Sequence, residues 1–236
     1  MISQPNYIVA GCKPWNSRVF EQLIRPLPGR WQFVSSPPQL TEELVAGVEP
    51  RYLFFLHWSW IVPAALVENR ECVCFHMTDV PYGRGGSPLQ NLIERGHRST
   101  MLTALRMTEQ LDAGPVYVKQ PLSLEGGAEE IYLRATELSA KMIEEIVETQ
   151  PEPQPQQGDP VVFVRRKPEQ SEITSPESLF GLHDFIRMLD ADGYPTAFFE
   201  RDGFRYEFRR SALYDGRIQA DVYITKTDEE ESPWPL

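Results

Sequence analysis

Three cysteines in 236 residues, Cys12, Cys72 and Cys74, are too few and too oddly numbered for a disulfide framework, and none belongs to a CxxC pair with zinc-ligand spacing. A reducing, cytoplasmic setting is expected. Long apolar runs are also missing: no stretch approaches the ~20 apolar residues of a membrane span, and Met1-Ile2-Ser3-Gln4-Pro5 shows no basic-then-apolar leader pattern. No membrane partner is expected. Basic charge is scarce too, with 23 Lys and Arg against 34 Asp and Glu, a net charge of -11 of which residues 151–236 carry -7. Nucleic-acid binders need clustered Lys and Arg to displace phosphate counterions, so no nucleic-acid partner is expected either. Arg165-Arg166-Lys167 is the one basic run. The four histidines are scattered; His57, His76, Asp79 and Asp112 are of metal-binding types, yet no local spacing joins them, and no metal is expected.

What is present is material for a packed core. Hydrophobic residues make up 41% and charged ones 24%, the proportions of an ordinary globular protein. Residues 7–10 read as a strand, 11–17 as a loop and 18–23 as a helix that Asn16 or Ser17 caps. Further strand-like runs fall at 31–34, 52–56, 72–75 and 115–118, and helical patterns at 88–94 and 128–147. Such short apolar runs suit strands buried on both faces, so the class is α/β, a mostly parallel sheet flanked by helices. Residues 150–160 hold four prolines and nothing that anchors a core. They predict a stiff linker between a domain over 1–149 and a small α+β C-terminal domain over 161–236. That domain reads as a strand at 161–165, a helix from Ser175-Pro176-Glu177 to Asp190, and strands at 196–200 and 204–208 around the hairpin turn Arg201-Asp202-Gly203. The acidic tail from Thr225 is expected to fray.

One stretch stands out chemically, Cys72-Val73-Cys74-Phe75-His76-Met77-Thr78-Asp79-Val80-Pro81-Tyr82-Gly83-Arg84-Gly85-Gly86-Ser87-Pro88. A strand ends in a histidine, and a Gly- and Pro-rich loop then enters a helix. Ligands of open parallel sheets bind beyond the carboxyl ends of the strands, so a titratable group there is well placed for chemistry. Thirty-six residues on, Asp112-Ala113-Gly114-Pro115 has the composition of a tight turn that aims a carboxylate inward.

Together these stretches resemble the N10-formyltetrahydrofolate-dependent formyltransferases, in which an Asn-x-His precedes a Leu-Pro-x-x-(Arg)-Gly-x-x-Pro loop and an Asp-x-Gly follows at a similar interval. His76, Pro81, Arg84-Gly85, Pro88 and Asp112-Ala113-Gly114 match in order, within a resemblance covering most of residues 1–148. It implies a Rossmann-like sheet, N10-formyltetrahydrofolate as co-substrate, and a catalytic pair in which His76 takes up or relays the amine's proton while Asp112 orients it. It further implies that the pterin bonds to the backbone of Trp60, Ile61 and Val62 and of Glu109, Gln110 and Leu111, beside Pro81. One position departs from the pattern. The family's catalytic asparagine falls on Cys74, and a thiol is only a weak donor to an oxyanion. Either another group supplies the donor, or the motif is displaced, or the protein binds without turnover.

For the amine the family offers tRNA, a ribonucleotide, an amino acid or a nucleotide-linked amino sugar. The -7 charge of residues 151–236 argues against tRNA. The post-catalytic pattern Arg165-Arg166-Lys167-Pro168-Glu169, with Gly193-Tyr194-Pro195-Thr196-Ala197, is similar to that of tRNA and sugar formyltransferases. The overall resemblance points to the sugar branch of surface polysaccharide biosynthesis, most nearly the pseudaminic acid pathway type acting on a UDP-linked 4-amino-4,6-dideoxy sugar. Lys13, Trp15 and Asn16 are candidates for the nucleotide, with a cation for phosphate and an indole for a base, or else form a plain capped turn. Arg84 reaches a phosphate or braces its own loop; Tyr82 and Gln90 are weaker sugar contacts. Tyr206 and Tyr214 belong either to a homodimer surface of the C-terminal domain or to that domain's core. The alternative functions are a non-catalytic folate- or nucleotide-sugar-binding relic and a formyltransferase for another small amine.

Overall fold

In the computed structural model, which describes residues 4–227, the apolar runs of the first half become the centre of one sheet. Strands β1 (Asn6–Gly11), β3 (Tyr52–Leu56) and β4 (Cys72–His76) are its heart, and β3 is buried at every position, as its unbroken Tyr-Leu-Phe-Phe-Leu demands. With β2 (Arg30–Val34), β6 (Ser99–Arg106) and β7 (Val116–Ser123) they form a six-stranded sheet in the order β2-β1-β3-β4-β6-β7. The pairs β1–β2, β1–β3 and β3–β4 are parallel, and β4–β6 and β6–β7 antiparallel. Helices α1 (Pro14–Val19), α2 (Glu42–Val48), α3 (Ala64–Asn69), α4 (Pro88–Glu94) and α5 (Ala128–Thr149) connect the strands. The expected α/β class and mostly parallel sheet are present.

Side chains alternate across each strand, so Ile8, Ala10, Leu53, Phe55 and Cys72 share one face, where Val45 of α2 and Leu66 of α3 close over them. Cys74, Trp58 and Met107 pack at the margin of this cluster. Helices α2 and α3 are additions to the sequence reading. The α2 signal is chemical rather than periodic: Thr41 Oγ1 accepts from Leu44 N at 3.1 Å, and Glu49 ends the helix at φ 49°. Strand β6 was also missed, its Thr100 and Thr103 interrupting the apolar run.

The chain divides into two compact units. The first comprises the chain up to Pro88, Ser99–Ser123 and Tyr132–Val164; the second comprises Leu89–Arg98, Leu124–Ile131 and the chain from Arg165 onward. Residues 150–160 run along the first unit: Gln154 and Val116 exchange backbone hydrogen bonds of 2.7 and 2.8 Å, and β8 (Val161–Phe163) pairs with β5 (Tyr82–Gly85). The expected strand at 161–165 therefore ends two residues early, where pairing with β5 stops.

In the second unit α6 (Leu179–Arg187) starts where Ser178 Oγ accepts from Gly181 N at 3.0 Å, later than the Ser-Pro-Glu reading placed it. Strands β9 (Ala197–Arg201), β10 (Phe204–Tyr214) and β11 (Arg217–Lys226) form an antiparallel sheet in the order β11-β10-β9. Asp202 at φ 52° and Gly203 at φ 77° make the anticipated two-residue hairpin turn. Thr225 and Lys226 lie within β11, so the expected fraying does not begin there; the rest of that tail lies outside the described residues from 228 on. Among the described residues no helix is long and apolar enough to cross a membrane.

Candidate functional site

At the carboxyl end of β4, the two-residue period puts Cys74 and His76 on one face. The following loop turns back so that Gly83 O lies 2.7 Å from His76 Nε2. A carbonyl can only accept, so Nε2 is the donor in this contact. Nδ1 faces Asp112 Oδ2 at 3.5 Å, with both side chains nearly enclosed. Histidine and carboxylate, distant in sequence, are thus brought together.

Two local features aim the carboxylate. Asp112 sits at φ 53°, a left-handed conformation that Asp tolerates better than most residues. Its Oδ2 also accepts from Gly85 N at 2.9 Å. Glycine is required on both sides of this contact: Gly85 has φ 103° and a Cβ there would lie 2.4 Å from Phe163 O, while a Cβ on Gly114 would lie 1.8 Å from Arg106 O. Arg84, between these groups, donates from Nε and Nη2 to Gln156 Oε1 at 3.0 and 2.7 Å. Of its two sequence readings, the loop brace is the one seen.

Cys74 faces the same carboxylate. Burial and then the Asp112 charge push its thiol pKa far up, so it stays a neutral S–H and not a thiolate nucleophile. Cys72, buried beside it, is pushed up to about 12 by the same desolvation and by Glu71.

The segments expected to meet a pterin are open. Ile61 is 97% and Leu111 67% exposed, unusual for large apolar residues, and Trp60, Glu109 and Gln110 are exposed as well. Val62 is buried in the sheet-face cluster that also packs Met107 and Trp58. Among the described residues the backbone groups of Trp60, Ile61 and Val62 make no hydrogen bond. Pro81 is half-buried, its carbonyl accepting from Val161 N at 3.1 Å.

Of the two readings of the β1–α1 turn, the capped turn is the one seen. Trp15 is only 7% exposed, stacked near Tyr132 at 6.3 Å and edge-on to His57, so it is a buried wall of the turn and not a platform for a base. Asn16 is wholly buried; its Oδ1 accepts from Lys13 N at 2.8 Å and its Nδ2 meets His57 Nδ1 at 3.3 Å. Lys13 stays half-exposed. Tyr82 packs edge-on against Phe163, centroids 5.3 Å apart. Gln90 is buried in the second unit, where Nε2 donates to Met188 O at 3.0 Å, so its amide is committed to packing instead of a sugar. Among the described residues no three His, Cys, Asp or Glu gather as a metal-binding set.

His57, read from sequence as a buried or edge histidine, has a consequence for pH. Burial and the Lys13 charge lower its pKa to about 4. The folded pKa lies below the unfolded 6.5, so the stability from its neutral form is complete above pH 6.5 and is lost as pH falls toward 4. Over that window the loss is on the order of 3 kcal/mol. Denaturant titrations at the two ends should show wild type losing more stability than His57→Gln.

The structure thus shows an α/β sheet with an enclosed His–Asp pair at its strand termini. Comparison with known proteins places it more narrowly. Residues 168–225 match the methionyl-tRNA formyltransferase C-terminal domain family. A solved structure named methionyl-tRNA formyltransferase from Clostridium thermocellum is 43% identical with a TM-score of 0.89, covering 94% of this chain and 99% of that one. A curated methionyl-tRNA formyltransferase of Sinorhizobium medicae is 30% identical over 156 residues, 61% of this chain and 49% of the relative. The chain thus spans about half the length of the curated relatives it matches. HypX from Aquifex aeolicus, solved in complex with tetrahydrofolic acid, shares the fold at 16% identity and TM-score 0.71, over 88% of this chain and 38% of its own. The chain belongs to the formyltransferase family. The Clostridium and Sinorhizobium proteins carry the methionyl-tRNA name, where the sequence reading pointed to the sugar branch.

Proposed function

We propose that the protein is an N-formyltransferase that moves the formyl group of N10-formyltetrahydrofolate to an amine, with His76 and Asp112 as its acid–base pair. The observation that carries this is the His76 Nδ1–Asp112 Oδ2 pair, 3.5 Å apart and nearly enclosed at the end of β4. Exposed Trp60, Ile61 and Leu111, and the unbonded backbone of Trp60, Ile61 and Val62, suit a flat heterocycle read by backbone groups. The folate supplies the formyl carbon. As the amine nitrogen bonds to that carbon and the bond to folate N10 breaks, His76 takes the amine's proton and returns it to N10, balancing the transfer. Asp112 holds the ring and stabilises its charged form. With Cys74 only a weak donor, the charged His76 supplies the electrostatic support for the oxyanion. Cys74→Ser is then expected to keep turnover within about threefold, since a hydroxyl is no worse a donor than the thiol.

For the acceptor we favour a nucleotide-linked amino sugar, a UDP-linked 4-amino-4,6-dideoxy sugar in the first instance, because the net charge of -11 opposes a polyanionic tRNA. Lys13 is the remaining phosphate contact at the β1–α1 turn. Strand β11, whose Val222, Tyr223 and Ile224 are exposed, is assigned to a homodimer contact. A second reading, methionyl-tRNA, is favoured by the 43% identity to the Clostridium protein of that name. Mass analysis after incubation with N10-formyltetrahydrofolate separates them. A formylated UDP- or dTDP-linked 4-amino sugar supports the first reading, and formylated methionyl-tRNA alone supports the second. Folate binding without any formylated product would make the protein a relic.

A further inference from the structure

The turn that carries Asp112 has little to hold it. Residues 108–111 are exposed, and among the described residues its internal hydrogen bonds are Thr108 Oγ1 to Gln110 O at 2.9 Å and Ala113 N to Gln110 O, long at 3.3 Å. The carboxylate nevertheless has to stay on His76, and a misplacement of about 1 Å is enough to cost on the order of a hundredfold in rate. The missing restraint comes from the proline-rich segment. Gln156 Nε2 donates to both Asp112 O and Gly114 O at 2.8 Å, while its Oε1 accepts the two Arg84 hydrogen bonds. One carboxamide therefore ties the Asp112 turn to the loop whose Gly83 O and Gly85 N hold the other atoms of the pair.

We propose that Gln156 is a positioning residue, a clamp that fixes Asp112 against His76 by fastening its turn to the Arg84 loop. The chemistry of the amide suits this use. The guanidinium on its oxygen makes charge-assisted hydrogen bonds and polarises the amide, strengthening its two N–H donors. All four polar contacts of the carboxamide are satisfied, its full capacity. The segment presenting it is itself anchored, by the exchange between Gln154 and Val116 on one side and by Val161 N on Pro81 O on the other. Residues 150–160 are on this view a strap across the catalytic loops as well as a connection.

The catalytic consequence rests on the formyl-transfer reading, so the test has one readout that does not. The Gly85 amide donates to Asp112 Oδ2 and its hydrogen exchange reports whether the turn is held. Gln156→Ala removes the whole clamp. Gln156→Glu keeps an acceptor for Arg84 but turns a carboxylate toward two carbonyls, and Gln154→Ala, an exposed neighbour outside the clamp, is the control. Both Gln156 variants are expected to exchange the Gly85 amide about tenfold faster, the equivalent of one lost hydrogen bond, with the Leu53 amide of β3 unchanged. Turnover should fall by roughly tenfold to a hundredfold with KM for the acceptor within about twofold. Gln154→Ala should match wild type in all of these. Wild-type exchange at Gly85 in Gln156→Ala overturns the clamp, as does an undiminished kcat. If wild type itself transfers no formyl group, the functional reading falls while the exchange result still decides the clamp.

Discussion

Asp112→Asn lowers turnover by about a thousandfold or more, with the thermal midpoint close to that of wild type. The physical reason is that a single oxygen, Oδ2, serves both Gly85 N and His76 Nδ1. An asparagine oxygen in the same place keeps the hydrogen bond to Gly85, so the turn stays folded, but it presents no negative charge to the imidazole. The proton that His76 must take up during transfer is then unsupported in an enclosed site, where a lost charge interaction is felt more strongly than in water. His76→Asn removes the proton acceptor itself, and should fall as far. Because the two residues act as one unit, the double variant should be little worse than either single one. Steady-state rates for the three proteins, each checked for folding by its unfolding midpoint, test this. A single variant within about tenfold of wild type would remove the pair from the mechanism.

The second large effect concerns stability. Arg187 is 4% and Asp184 6% exposed; Arg187 Nε contacts Asp184 Oδ1 at 2.6 Å, and Nη1 donates to Leu124 O and Gly126 O. Arg98 adds two hydrogen bonds of 3.1 Å to the same carboxylate. Asp184→Ala would leave the Arg187 guanidinium buried with carbonyls alone, Nη2 already lacking a partner. Stranding a buried charge in this way costs about 3–5 kcal/mol. Urea unfolding followed by signals of the second unit should show that loss. Replacing Asp184 and Arg187 together by apolar residues should recover much of it, since no charge is then stranded. A loss below about 1 kcal/mol for Asp184→Ala would mean that the ion pair is solvated, as at a surface.

The sheet was readable because its central strands are uninterrupted apolar runs, and the His76 and Asp112 stretches because glycines and prolines mark sharp turns beside titratable groups. Their meeting was not a local property. It depends on the Asp112 turn curling back over β4, which is set by Gly114 fitting under Arg106 O and by hydrogen bonds from elsewhere in the chain. Gln156 was invisible for the same reason: among prolines and glutamines it looks like spacer, and its four contacts are all long-range. Composition left Trp15 open between a ligand contact and a capped turn, because the burial against Tyr132 of α5 and His57 after β3 that decides its place is long-range. Strand β11 carried a missed signal in Asp215-Gly216, the same turn chemistry that revealed β9 and β10, with Gly216 at φ 71°.

A crystal structure of the protein with a stable N10-substituted tetrahydrofolate analogue tests the central claim most directly. The expected result is a pteridine hydrogen-bonded to the backbone between Trp60 and Val62 and between Glu109 and Leu111, with the N10 substituent beside His76 and Cys74. A folate bound elsewhere, or one whose N10 arm points away from His76, would contradict it.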